Sequence, residues 1–284
     1  MKQQVNYIIS ELRGFFPEEE LRELAYWIIE ETTGMTRTQI LTADKGTKNI
    51  PNIEIILQKL RTHEPIQYIF GHTEWMGLDL RVTPATLIPR PETAELVEWV
   101  LSVCDTHQPL RVLDIGTGSG CIAIALKKAA PKWQVMGIDI SEEALAVAKE
   151  NATRNKVEVN WLQADILSPI AHCPLPIADI IVSNPPYICN SEKKDMDARV
   201  LDYEPHSALF VPDTDPLLFY RQIASLASSP NRLIAPSPLN MFFEINEAYG
   251  SDVCEMLRQI GYTNVQLKND IYGKPRMVFG AITC

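Results

Sequence analysis

An α/β fold, with a mostly parallel seven-stranded sheet behind a small N-terminal helical bundle and a β-hairpin joint, is what the 284 residues predict. Three observations carry that prediction. From Leu110 onward short β-branched runs alternate with helical ones ("RVLDIG", "CIAIALKKAA", "QVMGIDI", "SEEALAVAKENATRN", "VEVNWLQAD", "ADIIVSN"), the rhythm of a sheet with helices on both faces. Further strands follow at "MFFEI", "NVQLKND" and "RMVFGAI". Residues 1 to about 70 carry helical periodicity instead, and "HTEWMGLDLRVTPATLIPRPET" alternates apolar and polar residues around Gly77, as a short hairpin does.

The elements follow in order. Pro17 before "EEE" is a helix start with acid in the first turn, and Leu21, Leu24, Ala25, Ile28 and Ile29 form an apolar stripe at helical spacing. Thr36 and Asn52 are candidate caps of two shorter helices, separated by the loop "TADKGTKNIPN", so four or five helices are expected. The chain then divides into a helical domain at 1–72, a hairpin linker at 73–90 and an α/β domain at 91–284. The region 188 to 240 is poor in pattern and rich in proline, with a helix expected near "LLFYRQIASLA". There is no internal repeat and no low-complexity segment.

Bulk composition excludes several classes. A hydrophobic fraction of 46% with 22% charged residues is that of a globular protein. Lys and Arg number 26 against 36 Asp and Glu, and the net charge of −10 opposes unspecific attraction to a phosphate backbone. Six cysteines, at 104, 121, 173, 189, 254 and 284, include no C-x-x-C pair and no His at zinc spacing. They read as reduced thiols, and no metal site is expected. Glu11 and Arg13 interrupt the apolar residues of the N-terminus, and no run reaches membrane-spanning length, which points to the cytoplasm.

"VLDIGTGSGCIAIAL" sets Gly116, Gly118 and Gly120 between a strand and a helix, where the carboxyl edge of a sheet meets a ligand. Cys121 stands where a dinucleotide fingerprint wants a third glycine or alanine, and no Lys-Ser/Thr completes a phosphate loop. Asp114 would sit badly beside a pyrophosphate but well beside a cation. Asp139 ends the second strand, placed to accept both hydroxyls of a ribose. Asp165 ends the third strand similarly. Each acid alone is an ordinary strand-end carboxylate. Three at successive strand ends beside a glycine loop ask for a ligand with a ribose, an adenine, a positive sulfonium and no phosphate: S-adenosylmethionine.

The fourth strand, "ADIIVSNPPYIC", stops on Asn184, Pro185, Pro186 and Tyr187. Two prolines remove two backbone donors, so pairing cannot continue past Ser183. A proline pair is most often a strand terminator only. Beside a methyl donor it becomes a stiff ledge: the Asn184 side-chain oxygen and the Pro185 carbonyl could each accept an N–H of a planar amide or amine, with the Tyr187 ring covering it. No metal or covalent nucleophile is needed.

"DIGTGSG" with "SNPPYI" resembles the methyltransferases that act on planar nitrogens, and "EPIQYIFGHTEWMGLDLRVTPATLIPRPETAELVE" resembles the HemK/PrmC family in particular. The resemblance runs from about Glu64 to Gly280. It implies a Rossmann-like, S-adenosylmethionine-dependent methyltransferase that modifies N5 of the glutamine in the Gly-Gly-Gln motif of peptide chain release factors. By similarity Gly116, Thr117, Gly118, Ser119, Gly120 and Asp139 contact the donor, with Asp165 or Ile166 near the adenine and Asn184 touching its methionine end. Asn184, Pro185, Pro186 and Tyr187 form the glutamine pocket, toward which "LIPRPET", with Arg90, leads. Pro91 and Glu92 in that stretch also read as a helix start. Two stretches depart from the family: "VPDTDPL" replaces a glycine-rich run after "YEPHSALF", and "NEAYG" lacks the glycine and glutamine expected after Glu244. A ribosomal-protein glutamine methyltransferase, an exocyclic-amine methyltransferase of DNA or RNA, and a silent S-adenosylmethionine sensor are the competing readings. The N-terminal helices are expected to recognise the protein substrate.

Overall fold

The computed structural model describes residues 1–43, 50–168, 177–228 and 239–282, so Cys173, Cys284 and most of the loop between the third and fourth helices lie outside the described residues. The chain forms two compact units, Met1–Gly71 with Asp197–Tyr203, and His72–Met196 with Glu204–Cys284.

In the first unit, α1 (Lys2–Leu12), α2 (Glu18–Thr33), α3 (Arg37–Thr42), α4 (Ile53–Arg61) and α5 (Ile66–Phe70) enclose an aliphatic core. Helix α2 has Glu18, Glu19 and Glu20 at its positive end and stops at Gly34, whose left-handed backbone lets its N–H reach the Glu30 carbonyl. Its buried residues are the five of the apolar stripe. Thr36 and Gln39 close a reciprocal capping box on α3. Asn52 occupies the cap position of α4 without capping it: its backbone is left-handed, not the extended form that aims a cap side chain at the first free N–H groups.

The second unit opens with β1 (His72–Trp75) and β2 (Leu78–Arg81), an antiparallel hairpin turning at Met76 and Gly77, both with positive φ, as a two-residue turn of this hand requires. The hairpin packs into this unit, with Trp75, Leu78 and Leu80 buried in its core. Among the described residues one sheet holds β3 (Arg111–Ile115), β4 (Gln134–Asp139), β5 (Asn160–Gln163), β6 (Ile180–Ser183), β9 (Leu239–Glu244), β10 (Thr263–Asn269) and β11 (Pro275–Ile282), in the order β10-β11-β9-β6-β3-β4-β5. The five from β9 to β5 run parallel, and β11 and β10 close one side antiparallel. The short β7 (Ile188–Cys189) and β8 (Phe210–Val211) pair separately. Between them lies α9 (Ala198–Leu201), whose segment Asp197–Tyr203 belongs to the first unit: the Tyr203 hydroxyl donates to the Thr62 carbonyl at 2.7 Å, and Arg199 bonds Glu20.

Helices α6 (Pro91–Val103), α7 (Cys121–Ala129) and α8 (Glu142–Arg154) accompany a core around Trp99, Trp133 and Phe242, while α10 (Leu218–Ser228) and α11 (Gly250–Ile260) accompany another around Tyr220, Met241 and Phe243. From β3 the chain proceeds to β4 and β5 on one side and later to β6 on the other, so the strand order reverses between β3 and β6. Ligands bind open α/β sheets at such a point. No helix of the described residues is long and apolar enough to cross a membrane.

Gly137 in β4 fixes how the indole of Trp161 meets the glycine loop. A Cβ there would stand 2.4 Å from the Trp161 ring and 2.8 Å from Thr117 Oγ1. Gly137→Ala is therefore expected to destabilise the fold by roughly 1–3 kcal/mol, as overpacking does, measured by denaturant unfolding. An unchanged midpoint would show that Trp161 moves aside freely.

Candidate active site

At the carboxyl end of β3 the chain turns into α7 through Gly116, Thr117, Gly118, Ser119 and Gly120, and all three glycines have positive φ. The carboxylate of Asp139 pins this loop, its Oδ2 accepting the Gly118 N–H at 2.8 Å and its Oδ1 the Ser141 N–H at 2.9 Å. A carboxylate has about four acceptor sites, so roughly two remain for a ligand. Gly120 faces the other way, its missing Cβ leaving room for Trp161 at 2.9 Å and Ala148 at 3.0 Å.

Asp114 differs from its expected place beside a cationic ligand. It is 0% exposed and turned inward, its Oδ2 accepting the Thr117 hydroxyl at 2.5 Å and the Ala123 N–H at 3.1 Å. It braces the glycine loop from beneath. Burial, outweighing these donors, pushes its carboxyl from 3.8 up to about 7. The folded protein thus keeps a proton that the unfolded chain has lost, so this part of the stability is present at low pH and declines as pH rises from 3.8 toward 7. In urea titrations Asp114→Asn is expected to lack that decline, the difference between the two proteins levelling off above neutrality. Parallel curves would place the proton elsewhere.

A cavity of about 370 Å³ opens over the strand ends, within the range of small-molecule sites. Gly116, Thr117, Gly118, Ser119, Asp139, Asp165 and Ile166 line it, and so do Asn184, Pro185, Pro186 and Arg90. Asp165 holds its own turn, accepting the Leu167 N–H at 2.8 Å and the Ser168 hydroxyl at 3.1 Å. Arg90 is the one cationic side chain among the described lining residues, and it is paired with Glu204, which also accepts the Ile88 N–H at 3.1 Å. The carboxylates among the described lining residues are Asp139 and Asp165. Among the described residues no group of His, Cys, Asp or Glu is arranged to hold a metal ion.

The ledge after β6 is held from several sides. The Ser183 hydroxyl donates to the Ile115 carbonyl at 2.6 Å, tying the end of β6 to that of β3. The Tyr187 N–H donates to the Leu209 carbonyl at 3.2 Å, and the Asn246 amide donates to the Tyr187 carbonyl at 3.2 Å. Asn246, at one of the family departures, therefore clamps the ledge. Asn184 donates from Nδ2 to Thr93 Oγ1 at 3.2 Å, Thr93 donates to Glu244 Oε2 at 2.7 Å, and the Tyr187 hydroxyl donates to Glu244 Oε1 at 3.3 Å.

Two of the sequence-derived site residues stand apart from the cavity lining: Gly120, for the packing reason above, and Tyr187. The Tyr187 ring packs toward the Tyr220 core and its hydroxyl donates to Glu244 Oε1. Burial, with the Glu244 charge beside it, raises its phenol well above the ordinary range. Thr93, Glu204 and Glu244 complete the surroundings of the ledge and its entrance. They stand in stretches the sequence singled out, "PRPET", "YEPH" and "FFEI", but their partnerships span 91 to 151 positions.

Residues 97–202 match the methyltransferase small domain. Over 276 residues, 95% of both chains, the sequence is 43% identical to the release factor glutamine methyltransferase of Flavobacterium psychrophilum. It is 44% identical over 279 residues, 96% of both chains, to the enzyme of the same name from Bacteroides thetaiotaomicron. Among solved structures, a methyltransferase from Pyrococcus furiosus superposes with a TM-score of 0.52 at 17% identity, over 74% of this chain and 91% of that one, a likeness of fold.

Proposed function

Because the chain belongs to the release factor glutamine methyltransferases, we propose that it moves the methyl group of S-adenosyl-L-methionine to the side-chain amide nitrogen, N5, of the glutamine in the Gly-Gly-Gln motif of peptide chain release factors. The observation that carries this reading is the meeting of the glycine loop and Asp139 with Asn184 and Pro185 around one cavity.

The residues present fit the donor. The loop from Gly116 to Ser119 offers backbone without bulky side chains, Asp139 keeps acceptor capacity for ribose hydroxyls, and no uncompensated cation opposes a sulfonium. When bound, S-adenosylmethionine supplies an electrophilic methyl group. Gly116, Thr117, Gly118 and Ser119 would hold it with Asp139, and Asp165 and Ile166 would flank the adenine. Asn184 and the Pro185 carbonyl accept the two N–H bonds of the substrate amide. That fixes the amide plane and aims its nitrogen, which matters because the lone pair is delocalised and a free amide is a poor nucleophile. Pro185 and Pro186 keep the ledge from yielding, and the Arg90–Glu204 pair fixes the loop that borders the entrance.

The helical first unit is the proposed recognition surface for the protein substrate, and the cytoplasm the proposed compartment. A ribosomal-protein glutamine or an exocyclic amine of a nucleic acid could present the same pair of N–H bonds. The net charge of −10 favours a protein over a nucleic acid. Purified protein given donor with an isotopically labelled methyl group should label a release factor, and should leave unlabelled a factor whose Gly-Gly-Gln glutamine is replaced by glutamate. Equal labelling of both, or of nucleic acid in preference, would contradict the proposal; no labelling of any acceptor would favour a silent sensor.

A further inference from the structure

The chain of bonds behind Asn184 has a direction. Glu244, the last residue of β9, is 1% exposed, and Thr93, in the first turn of α6, is 3% exposed. Burial pushes the Glu244 carboxyl up from its ordinary value, against the Thr93 hydroxyl, Arg276 and the Tyr187 hydroxyl, which pull it down. Two hydroxyls face its two oxygens, and the ionised carboxylate has no hydrogen of its own to give them. The single hydroxyl hydrogen of Thr93 is therefore committed to Glu244 Oε2, at 2.7 Å, while the Tyr187 hydroxyl satisfies Oε1. What Thr93 Oγ1 still offers is a lone pair. The group facing it from Asn184, 3.2 Å away, must then be the donor, Nδ2. Reversing the amide would set Oδ1 against Oγ1 with no hydrogen between them, two acceptors in a buried place. Asn184 is thus left with Oδ1 free, on a side chain that lines the cavity.

We infer that Thr93 and Glu244 are positioning residues that fix the orientation of the Asn184 amide, so that its oxygen and not its nitrogen meets the substrate amide; this rests on the role proposed for Asn184 above. An Asn turned the other way would present N–H groups to N–H groups. The carboxylate acts three hydrogen bonds away from the substrate, through a hydroxyl that serves as a one-way relay.

The test is steady-state methylation of a release factor by the full chain. Thr93→Val keeps the shape and removes the relay. Its kcat is expected to fall about 10- to 100-fold, with the donor Kd by calorimetry and the KM for the factor changed less than about threefold. Thr93→Ser, which keeps the hydroxyl, should recover most of the rate. In an Asn184→Ala background Thr93→Val should cost less than about a further twofold, because its effect passes through Asn184. A merely structural threonine would give losses that multiply. Should Thr93→Val fold poorly, Glu244→Gln makes the same comparison: its amide can offer Thr93 either a donor or an acceptor, so a smaller loss, roughly 3- to 10-fold, is expected. Full turnover by folded Thr93→Val or by Glu244→Gln, or multiplying losses in the double variant, would overturn the inference while leaving the methyltransferase reading intact. A wild-type chain that leaves glutamine unmethylated would overturn both.

Discussion

Folded Asn184→Ala is expected to methylate a release factor roughly 10² to 10⁴ times more slowly than the wild type, the range for one preorganised polar contact and its positioning effect. The side chain lines the cavity beside Pro185 and Pro186, and its hydrogen bond to Thr93 leaves its oxygen for the substrate. Its contribution therefore belongs to the step in which the amide nitrogen is aimed. Donor affinity should fall by less than turnover does. Because Asn184 holds up no core contact comparable to those of Tyr187, the variant should fold, and circular dichroism checks this before the kinetics. Near wild-type turnover would return Pro185 and Pro186 to the role of strand terminators.

Asp139→Ala is expected to weaken binding of S-adenosylmethionine by about 2–4 kcal/mol, or roughly 30- to 1000-fold, if a charge-assisted pair of bonds to the ribose is lost. The carboxylate has a second duty, since it fixes the Gly118 and Ser141 N–H groups of the loops around it. Asp139→Asn separates the two, keeping one acceptor oxygen while removing the charge, and should fall between wild type and Ala. Calorimetry with the donor reads both. Unchanged affinity in Asp139→Ala would make the residue a loop brace alone.

Much of this site was legible in the chain because backbone chemistry announces itself. Prolines that cannot donate end β6 at Ser183, and the apolar stripe of α2 follows directly from helical spacing. Positive φ at Gly116, Gly118 and Gly120 matches glycines that stood out as a loop. What could not be read was side-chain direction in the middle of the sheet. From Val112 to Ile115 every residue of β3 is buried, so alternation carries no signal and nothing marked Asp114 as facing inward. The purpose of Gly120 depends on Trp161, more than 40 positions on, and Gly137 answers to the same ring. The Asn184–Thr93–Glu244 chain needs three separate elements brought together. The region after Cys189 was obscure for another reason: β7, β8 and α9 are too short to show a period, and Asp197–Tyr203 folds with the first unit.

The most direct measurement is mass spectrometry of the Gly-Gly-Gln peptide of release factors from cells that carry this gene and from cells in which it is deleted. Methylation of the glutamine side chain in the first and its loss in the second, restored by the wild-type gene but not by Asn184→Ala, is the expected result. A glutamine methylated equally in both, or methylated in neither, would contradict the assignment of this cavity to glutamine N5.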